Sequence, residues 1–291
     1  MPPDTVAALL REGRRLLTEA GSETPALDAR LLLQEAARLT HEDIATYPDK
    51  TVSPDAAERF ASLIQRRQEL EPVSRIVGRR EFYGRPFKVT PDVLDPRPDT
   101  ETLINAALTR LPRGARILDL GTGSGAIIVT LLAEANTATG LATDISAGAL
   151  AVAFDNAACL GVENRLSFAL GAWFAPVTGR FDLIVSNPPY IPAADIPGLQ
   201  ADVRNFDPLV ALDGSADGLA AYRAIALEAE DHLAANGVVI VEIGAGQAGD
   251  VVTIFEQSGF RCEAKEQDLG GVDRCLVFST AGHAACGHAQ N

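Results

Sequence analysis

The residues Asn187-Pro188-Pro189-Tyr190 combine reactive side chains with a stiff backbone, and they directly follow the apolar run FDLIVS. A proline fixes its own φ and favours extended backbone in the residue before it, so Asn187 and Pro188 are both held extended. Because the prolines lack N–H donors, the Pro188 carbonyl is free to accept a hydrogen bond. Together with the Asn187 side-chain oxygen and the flat Tyr190 ring, it can receive a planar NH₂ group.

Such an NH₂ group, in a carboxamide or an aminopurine, is a poor nucleophile because its lone pair is delocalised. When its nitrogen attacks a sulfonium methyl group, it becomes pyramidal and gains positive charge. Hydrogen bonds to Asn187 and Pro188 would therefore strengthen in the transition state, as catalysis requires. The motif predicts Asn187, Pro188 and Tyr190 as catalytic residues and Asn187, Pro188, Pro189 and Tyr190 as substrate-binding residues. The alternative is a proline-rich loop that only ends a strand.

A glycine-rich loop, Asp119-Leu-Gly-Thr-Gly123-Ser-Gly125, lies between a predicted strand and a predicted helix. Glycines permit a tight turn and a close approach of the backbone to a ligand. A dinucleotide site is possible, but its pattern is GxGxxG, with a pyrophosphate on the helix N-terminus. Here Gly125 comes one residue early. The Asp119 carboxylate would repel a pyrophosphate but can receive an ammonium group, which favours an aminoacyl nucleoside such as S-adenosylmethionine.

Two further residues fit a nucleoside. Asp144 ends the next predicted strand, where a carboxylate can accept hydrogen bonds from a ribose diol. Its alternative role is an N-cap for the helix that starts near Ser146. Trp173, the single tryptophan, follows the predicted strand RLSFAL, and its ring can stack on adenine or pack in the core.

The elements that must position these residues alternate from Ala115 onward. Strand-like runs separated by helical segments predict a parallel, doubly wound α/β sheet. The strand-like runs are ARILDL, GLATDI, RLSFAL, FDLIVS and GVVIVEIG, followed by GFRCEAKEQD and DRCLVFST as a closing antiparallel pair. In such sheets ligands bind outside the carboxyl ends of the strands, where Asn187 and Asp144 both lie.

The N-terminal part differs, because apolar residues recur there at helical spacing in PALDARLLLQEAARL and SPDAAERFASLIQRRQEL, the second behind a Ser53 cap. We predict a helical domain at residues 1–75, which either recognises the substrate or is a structural appendage. Residues 76–95 are predicted as a linker and β-hairpin. A helix follows, with Thr100 as its possible cap.

Composition limits the possible partners. The chain has 291 residues and a net charge of −14, which disfavours a broad phosphate-binding surface and makes nucleic acid an unlikely substrate. The N-terminus lacks a signal-like apolar region and no apolar run is long enough to span a membrane, so a cytoplasmic protein is expected. The four cysteines lack framework spacing and are expected to be reduced. The tail, residues 281–291, contains HAACGH; we expect a flexible terminus there and no metal site.

The chain resembles the peptide-chain release factor glutamine N5-methyltransferases. The resemblance rests on PVSRIVGRREFYG, PRPDTETL, LDLGTGSGAI, SNPPYI, FDPLVALDG, VEIGAGQ and DLGGVDR. It implies a Rossmann-like, seven-stranded class I methyltransferase sheet at residues 96–280, with S-adenosylmethionine as cofactor. The implied substrate is the glutamine of the Gly-Gly-Gln loop in a release factor. The cofactor-binding residues that it implies are Gly121, Thr122, Gly123, Ser124, Gly125, Asp144, Trp173 and Asn187, with Arg97 and Thr100 nearby.

Two positions depart from the family pattern, which often has an acidic residue where Ala172 stands and an apolar one where Asp95 stands. The first departure removes a possible contact to the adenine amino group. Three alternatives to a release factor methyltransferase remain at this point. They are a glutamine methyltransferase for a ribosomal protein, an N6-adenine-type methyltransferase that flips a base, and a non-catalytic binding module.

Overall fold

The computed structural model describes residues 4–281, and the chain divides into two compact units. The first unit comprises the chain up to Arg79 together with the segment Gln200–Phe206. The second comprises Arg80–Leu199 and the chain from Asp207 onward. The first unit is therefore discontinuous in sequence, a feature that the helical pattern of the N-terminal residues did not indicate.

The predicted domain boundaries at residues 75 and 95 stay predictions. Apart from Ala281, the predicted tail at 281–291 lies outside the described residues, and so does the HAACGH sequence. Within the described part of the chain, Cys159, Cys262 and Cys275 are free thiols.

The first unit is built from helices around an apolar core. Ser53 caps α4 as predicted, because its hydroxyl accepts a hydrogen bond from the Ala56 N–H at 3.3 Å. The partly buried Arg67 pairs with the buried Asp28 at 2.8 Å, which joins α4 to α2. The N-terminal helices are α1 (Val6–Glu19), α2 (Pro25–Ala37), α3 (His41–Thr46), α4 (Pro54–Gln68) and α5 (Val73–Val77). Their core includes Val6, Leu17, Leu32, Leu33, Phe60 and Ile64.

Apart from Arg79, which belongs to the first unit, the second unit begins with a two-stranded sheet and contains a seven-stranded one. The small sheet pairs β1 (Arg79–Phe82) with β2 (Arg85–Lys88). The strands of the large sheet are β3 (Arg116–Leu120), β4 (Thr139–Asp144), β5 (Leu166–Leu170), β6 (Phe181–Ser186), β7 (Leu233–Glu242), β8 (Phe260–Gln267) and β9 (Asp273–Thr280). Their order is β5-β4-β3-β6-β7-β9-β8.

Five neighbouring strands of the large sheet run parallel, from β5 through β4, β3 and β6 to β7. Strand β9 is antiparallel to both β7 and β8, so the two last strands close the sheet as an antiparallel pair. The predicted seven-stranded, mostly parallel sheet and the helical N-terminal region are confirmed. Because β3 and β6 are central neighbours, the loops after them meet at one edge of the sheet.

Helices cover both faces of this sheet and bury two apolar clusters. The central strands β3, β6 and β7 carry continuous buried runs, as expected of strands that are covered on both sides. The remaining helices are α6 (Glu101–Leu108), α7 (Ala126–Glu134), α8 (Ala147–Cys159), α9 (Ala201–Phe206), α10 (Leu209–Leu212), α11 (Ala220–His232) and α12 (Ala248–Gln257), of which α9 belongs to the first unit.

Thr100 stands at the N-cap position of α6, as predicted, but its side chain does not act as a cap. A short 3₁₀ turn, Pro98–Thr100, precedes α6, and Thr100 makes no side-chain capping bond. Its backbone is already helical, whereas a capping residue usually has extended backbone. The hydroxyl instead accepts a hydrogen bond from Asn187, which places Thr100 in the candidate site.

Candidate active site

A cavity of about 280 Å³ opens at the carboxyl ends of β3, β4 and β6, within the second unit. This is where the ligands of open α/β sheets bind. Its lining includes residues from three separated parts of the predicted site, Gly121–Ser124, Asp144 and Asn187. Trp173 also lines the cavity. The structure thus brings together most of the residues that the sequence singled out.

The glycine loop wraps one side of the cavity. Gly121 and Gly123 adopt φ of +69° and +55°, a region that favours glycine. A Cβ atom on Gly123 would meet no atom within 4 Å, so the loop presents open space there. Gly125 has a different place: it is not among the cavity-lining residues, and a Cβ on it would lie 3.1 Å from the Cβ of Ala153 on α8. Gly125 therefore allows α7 and α8 to pack closely.

Asp119 lies behind this loop and does not line the cavity. Its side chain is fully buried, and one carboxylate oxygen accepts a hydrogen bond from the Thr122 hydroxyl at 2.6 Å. Burial raises the pKa of Asp119 to about 7, and the bond from Thr122 opposes this rise. The carboxyl group holds the loop from within, and the expected contact with an ammonium group stays a prediction.

Asp144 connects the loop to the next strand. One of its carboxylate oxygens accepts the Gly123 N–H and the other accepts the Ser146 N–H, both at 2.9 Å. The N-cap of α8 is Ser146 itself, whose hydroxyl accepts from the Ala149 N–H, so the capping alternative for Asp144 is wrong. Each carboxylate oxygen can accept more than one hydrogen bond, and Asp144 therefore keeps acceptor capacity on its cavity side.

Trp173 lies over the glycine loop with a left-handed backbone, φ +46°. A Cβ on Gly121 would be 4.0 Å from Cζ3 of the indole, so the ring and the loop are neighbours. The indole lines the cavity and also packs against one apolar cluster of the sheet, so stacking on adenine stays a prediction. The preceding Ala172 is exposed.

Asn187 is anchored from behind, and this decides which way its amide faces. Its Nδ2 donates to the Thr100 hydroxyl at 3.3 Å. Beyond them lies Glu242, which is 2% exposed at the carboxyl end of β7. Burial raises the pKa of Glu242 to about 7, and hydrogen bonding with Thr100 and Asn187 opposes the rise. With Nδ2 turned towards these acceptors, the Asn187 carbonyl oxygen remains available to the cavity.

The rest of the motif divides between the cavity and the core. Pro189 lines the cavity, whereas Pro188 is buried and is not among the lining residues. The Tyr190 ring packs against an apolar cluster of the sheet and is likewise absent from the lining. Burial raises the pKa of Tyr190 to about 12. The phenol therefore stays neutral at physiological pH, and the predicted ring contact with a substrate stays a prediction.

Ion pairs border the site. Arg97 lines the cavity and pairs with the buried Asp207 at 2.7 Å, which ties the PRPDTE segment to the chain before α10. Arg274 pairs with Asp99 at 3.0 Å and with Asp268 at 2.9 Å. Asp95, one of the departures from the family pattern, is 6% exposed and lies 3.8 Å from Arg80.

Sequence reasoning missed several residues that support the site. Asn156 on α8 is 1% exposed, and its Nδ2 donates to the Ser124 carbonyl at 2.8 Å, so it anchors the glycine loop from another helix. Glu242 had a usable signal, because it stands at the carboxyl end of a strand just as Asp144 does. No sequence signal indicated the role of Asn156, because a single polar residue on an apolar helix face does not reveal its partner.

Among residues 4–281, no helix is both long and apolar enough to cross a membrane. The same residues contain no cluster of three or more histidine, cysteine, aspartate or glutamate side chains arranged to hold a metal ion.

Comparison with known proteins agrees with this geometry. Residues 8–78 match the family described as the PrmC N-terminal domain, and residues 96–197 match the methyltransferase small domain. The release factor glutamine methyltransferase of Rhodospirillum rubrum is 49% identical over 92% of this chain and 83% of its own length. The protein of the same name from Agrobacterium fabrum is 46% identical over 94% of this chain and 97% of its own length.

The chain belongs to the release factor glutamine methyltransferase family. A solved methyltransferase structure from Pyrococcus furiosus has a TM-score of 0.50 and 19% identity, and the match covers 75% of this chain and 96% of that one. At this identity the likeness concerns the fold alone. Membership in the family accounts for the shared segments from PVSRIVGRREFYG to DLGGVDR, and it makes the chain a methyltransferase.

Proposed function

We propose that this protein transfers a methyl group from S-adenosylmethionine to the side-chain amide nitrogen of the glutamine in the Gly-Gly-Gln motif of peptide chain release factors. The proposed reaction takes place in the cytoplasm, where translation terminates. The observation that carries the proposal is the orientation of Asn187, whose Nδ2 is engaged by Thr100 and whose oxygen is left to accept an amide N–H. The names of the relatives support the choice of substrate.

The cavity residues fit the cofactor. Asp144 has spare acceptor capacity for a ribose diol, and Gly121 and Gly123 leave room for close approach of a ligand to the backbone. Trp173 and Ile145 offer apolar surface for an adenine ring. S-adenosylmethionine supplies an electrophilic methyl group on a sulfonium sulfur. We infer that Gly121–Gly125, Asp144 and Trp173 hold it, with Gly125 acting through the packing of the loop.

Asn187 would then act on the nucleophile. Its carbonyl oxygen and the Pro188 carbonyl accept the two N–H bonds of the substrate amide, and both bonds strengthen as the nitrogen becomes positive. The hydrogen bond from Nδ2 to the Thr100 hydroxyl holds the Asn187 amide so that its oxygen, and not its NH₂ group, faces the substrate. Holding the substrate amide at these two acceptors would also align its nitrogen for displacement, which contributes through orientation.

The helical N-terminal unit is proposed to recognise the release factor. Its match to the PrmC N-terminal domain supports this role, since it accompanies the methyltransferase part in the family. The chain carries a net charge of −14, which suits a protein partner better than a phosphate backbone.

Methyl transfer from labelled S-adenosylmethionine tests the proposal. We expect label on a purified release factor, no label on the same factor with its motif glutamine changed to alanine, and no label on duplex DNA. Asn187→Ala should abolish transfer, whereas Asn164→Ala, a matched change at an exposed asparagine, should not. Label on DNA, or equal label on the glutamine variant, would contradict the proposal and favour an N6-adenine-type or another protein substrate.

A further inference from the structure

Gln247, which directly precedes α12, uses both ends of its side-chain amide. Its Oε1 accepts the Gly244 N–H at 3.0 Å, and its Nε2 donates to the Tyr190 carbonyl at 2.9 Å. A weaker contact joins Nε2 to the Gly218 carbonyl at 3.5 Å. The side chain therefore connects the loop after β7 to the last residue of the Asn187–Tyr190 motif. Gln247 is not among the residues that line the cavity.

Glycines around this contact show how tightly it is enclosed. A Cβ atom on Gly218 would collide with the Tyr190 carbonyl oxygen and lie 2.8 Å from Gln247 Nε2. A Cβ on Gly244 would lie 2.8 Å from Gln247 Oε1 and 3.0 Å from Cδ2 of the Tyr190 ring. A Cβ on Gly214 would lie 2.9 Å from the Tyr190 carbonyl carbon. Three glycines thus allow the backbone to close around the Tyr190 carbonyl, where side chains would push it away.

The backbone on either side of Tyr190 is held in other ways. Before the motif, β6 pairs with β3 and β7. After it, the Ile191 N–H donates to the Leu212 carbonyl at 3.1 Å and the Gly214 N–H donates to the Ile191 carbonyl at 2.9 Å. The Tyr190 carbonyl lies between these two ladders and has its hydrogen bond from Gln247.

We propose that Gln247 is a positioning residue for methyl transfer, which holds the Tyr190 carbonyl and so fixes where Asn187 and Pro188 present their acceptors. This inference rests on the proposed function. In this role Gln247 contacts neither substrate nor cofactor. Its effect is on the placement of the reacting amide, and small displacements of a reacting group are costly to rate.

Gln247→Glu is the sharpest test, because it preserves shape and keeps an acceptor for the Gly244 N–H. As a carboxylate, the new side chain turns an oxygen toward the Tyr190 carbonyl, where a donor is needed. We expect kcat for release factor methylation to fall about 30-fold at pH 8, the scale expected when a reacting group is displaced by less than 1 Å. Cofactor affinity, read from the fluorescence of the single tryptophan Trp173, should stay within about twofold because the cofactor-facing residues are untouched.

The same variant should recover activity in acid, which a purely structural defect would not do. Once protonated, the introduced carboxyl group can donate to the Tyr190 carbonyl as the amide does. The ratio of variant to wild-type kcat should therefore rise as the pH falls from 8 to 5.5. Measuring the ratio cancels titration common to both proteins, such as that of the buried Glu242 carboxyl group. Asp99, the neutral Tyr190 phenol and the charged Arg274 also lie near the motif.

Gln247→Met removes donor and acceptor at similar size and should lose kcat without acid recovery. Gln257→Glu, at the exposed end of the same helix, is the matched control and should behave as wild type. Wild-type kcat in both variants, or equal loss of cofactor affinity and kcat, would overturn the positioning role. Absence of methylation by the wild-type protein would instead overturn the proposed function, so the two failures are distinguishable.

Discussion

The two ends of the cavity use the same device, a buried carboxyl group at the end of a central strand with a threonine hydroxyl between it and the site. At the cofactor end, Asp119 on β3 accepts from Thr122, which belongs to the glycine loop. At the substrate end, Glu242 on β7 stands behind Thr100, which holds Asn187. Both carboxyl groups are almost fully buried, and burial raises the pKa of each to about 7.

The ends differ in how far apart their partners lie in sequence. Thr122 is 3 positions from Asp119, and Gly123 is 21 positions from Asp144. In contrast, Thr100 is 87 positions from Asn187, and Gln247 is 57 positions from Tyr190. The cofactor end is thus largely formed by two adjacent strand–loop–helix units, whereas the substrate end requires three distant segments, around Thr100, Asn187–Tyr190 and Gln247. Substitutions should therefore be able to impair cofactor binding and substrate positioning separately.

Removal of Asp144 should have the largest effect on cofactor affinity. Asp144→Ala deletes two acceptors for a ribose diol and releases the Gly123 N–H. Since a hydrogen bond to a charged group contributes about 1.5 kcal/mol or more, cofactor affinity should fall about 100-fold. Fluorescence titration of Trp173 measures it, and Asp155→Asn, at a half-exposed carboxylate on α8, serves as the control. An unchanged affinity would remove Asp144 from the cofactor end.

The two buried carboxyl groups, Asp119 and Glu242, predict a pH dependence of stability. The pKa of Glu242 is about 7 in the folded protein and 4.5 ordinarily, so the folded state binds the extra proton between these values. This protonation stabilises the folded state fully below the ordinary pKa, and the contribution is lost as the pH rises through about 7. The free energy of unfolding should therefore fall by on the order of 1 kcal/mol per pH unit from pH 5 to 7. Glu242→Gln and Asp119→Asn should each reduce this slope in urea unfolding series. A slope that only one substitution reduces would break the symmetry between the two ends.

Replacing either threonine hydroxyl should have the smallest effect, and it should separate cofactor binding from catalysis most clearly. Thr122→Val should weaken cofactor binding about fivefold and leave kcat at saturating cofactor nearly unchanged, because one hydrogen bond contributes about 1 kcal/mol. Thr100→Val should lower kcat by a similar factor with cofactor affinity retained, and Thr100→Ser should restore it. Cofactor titrations and saturating kinetics on both variants check this. If both substitutions change the same parameter, the two ends are not functionally separate.

Sequence reasoning reached the cofactor end and the fold more completely than the substrate end. The strands and the order of the glycine loop, Asp144 and Asn187 follow from local periodicity and from residues at strand ends. Thr100 illustrates the limit: its position before α6 predicted a cap, but its hydroxyl accepts a hydrogen bond from Asn187. Gly125 also packs against Ala153 on α8, a contact that the sequence did not indicate. Such pairings depend on tertiary contacts that no local pattern encodes.

The discontinuity of the first unit has a consequence for synthesis of the chain. The apolar core of its helices lies within residues 6–76, whereas Gln200–Phe206, whose first side chain approaches Glu23 at 3.5 Å, is made much later. At about 5–20 residues per second, a ribosome needs several seconds or more to synthesise the intervening sequence. The helices can thus form their core early, and the unit is complete only after strands β3 to β6 of the large sheet have been translated. A truncated gene ending before residue 200 would encode the helical core without the segment Gln200–Phe206.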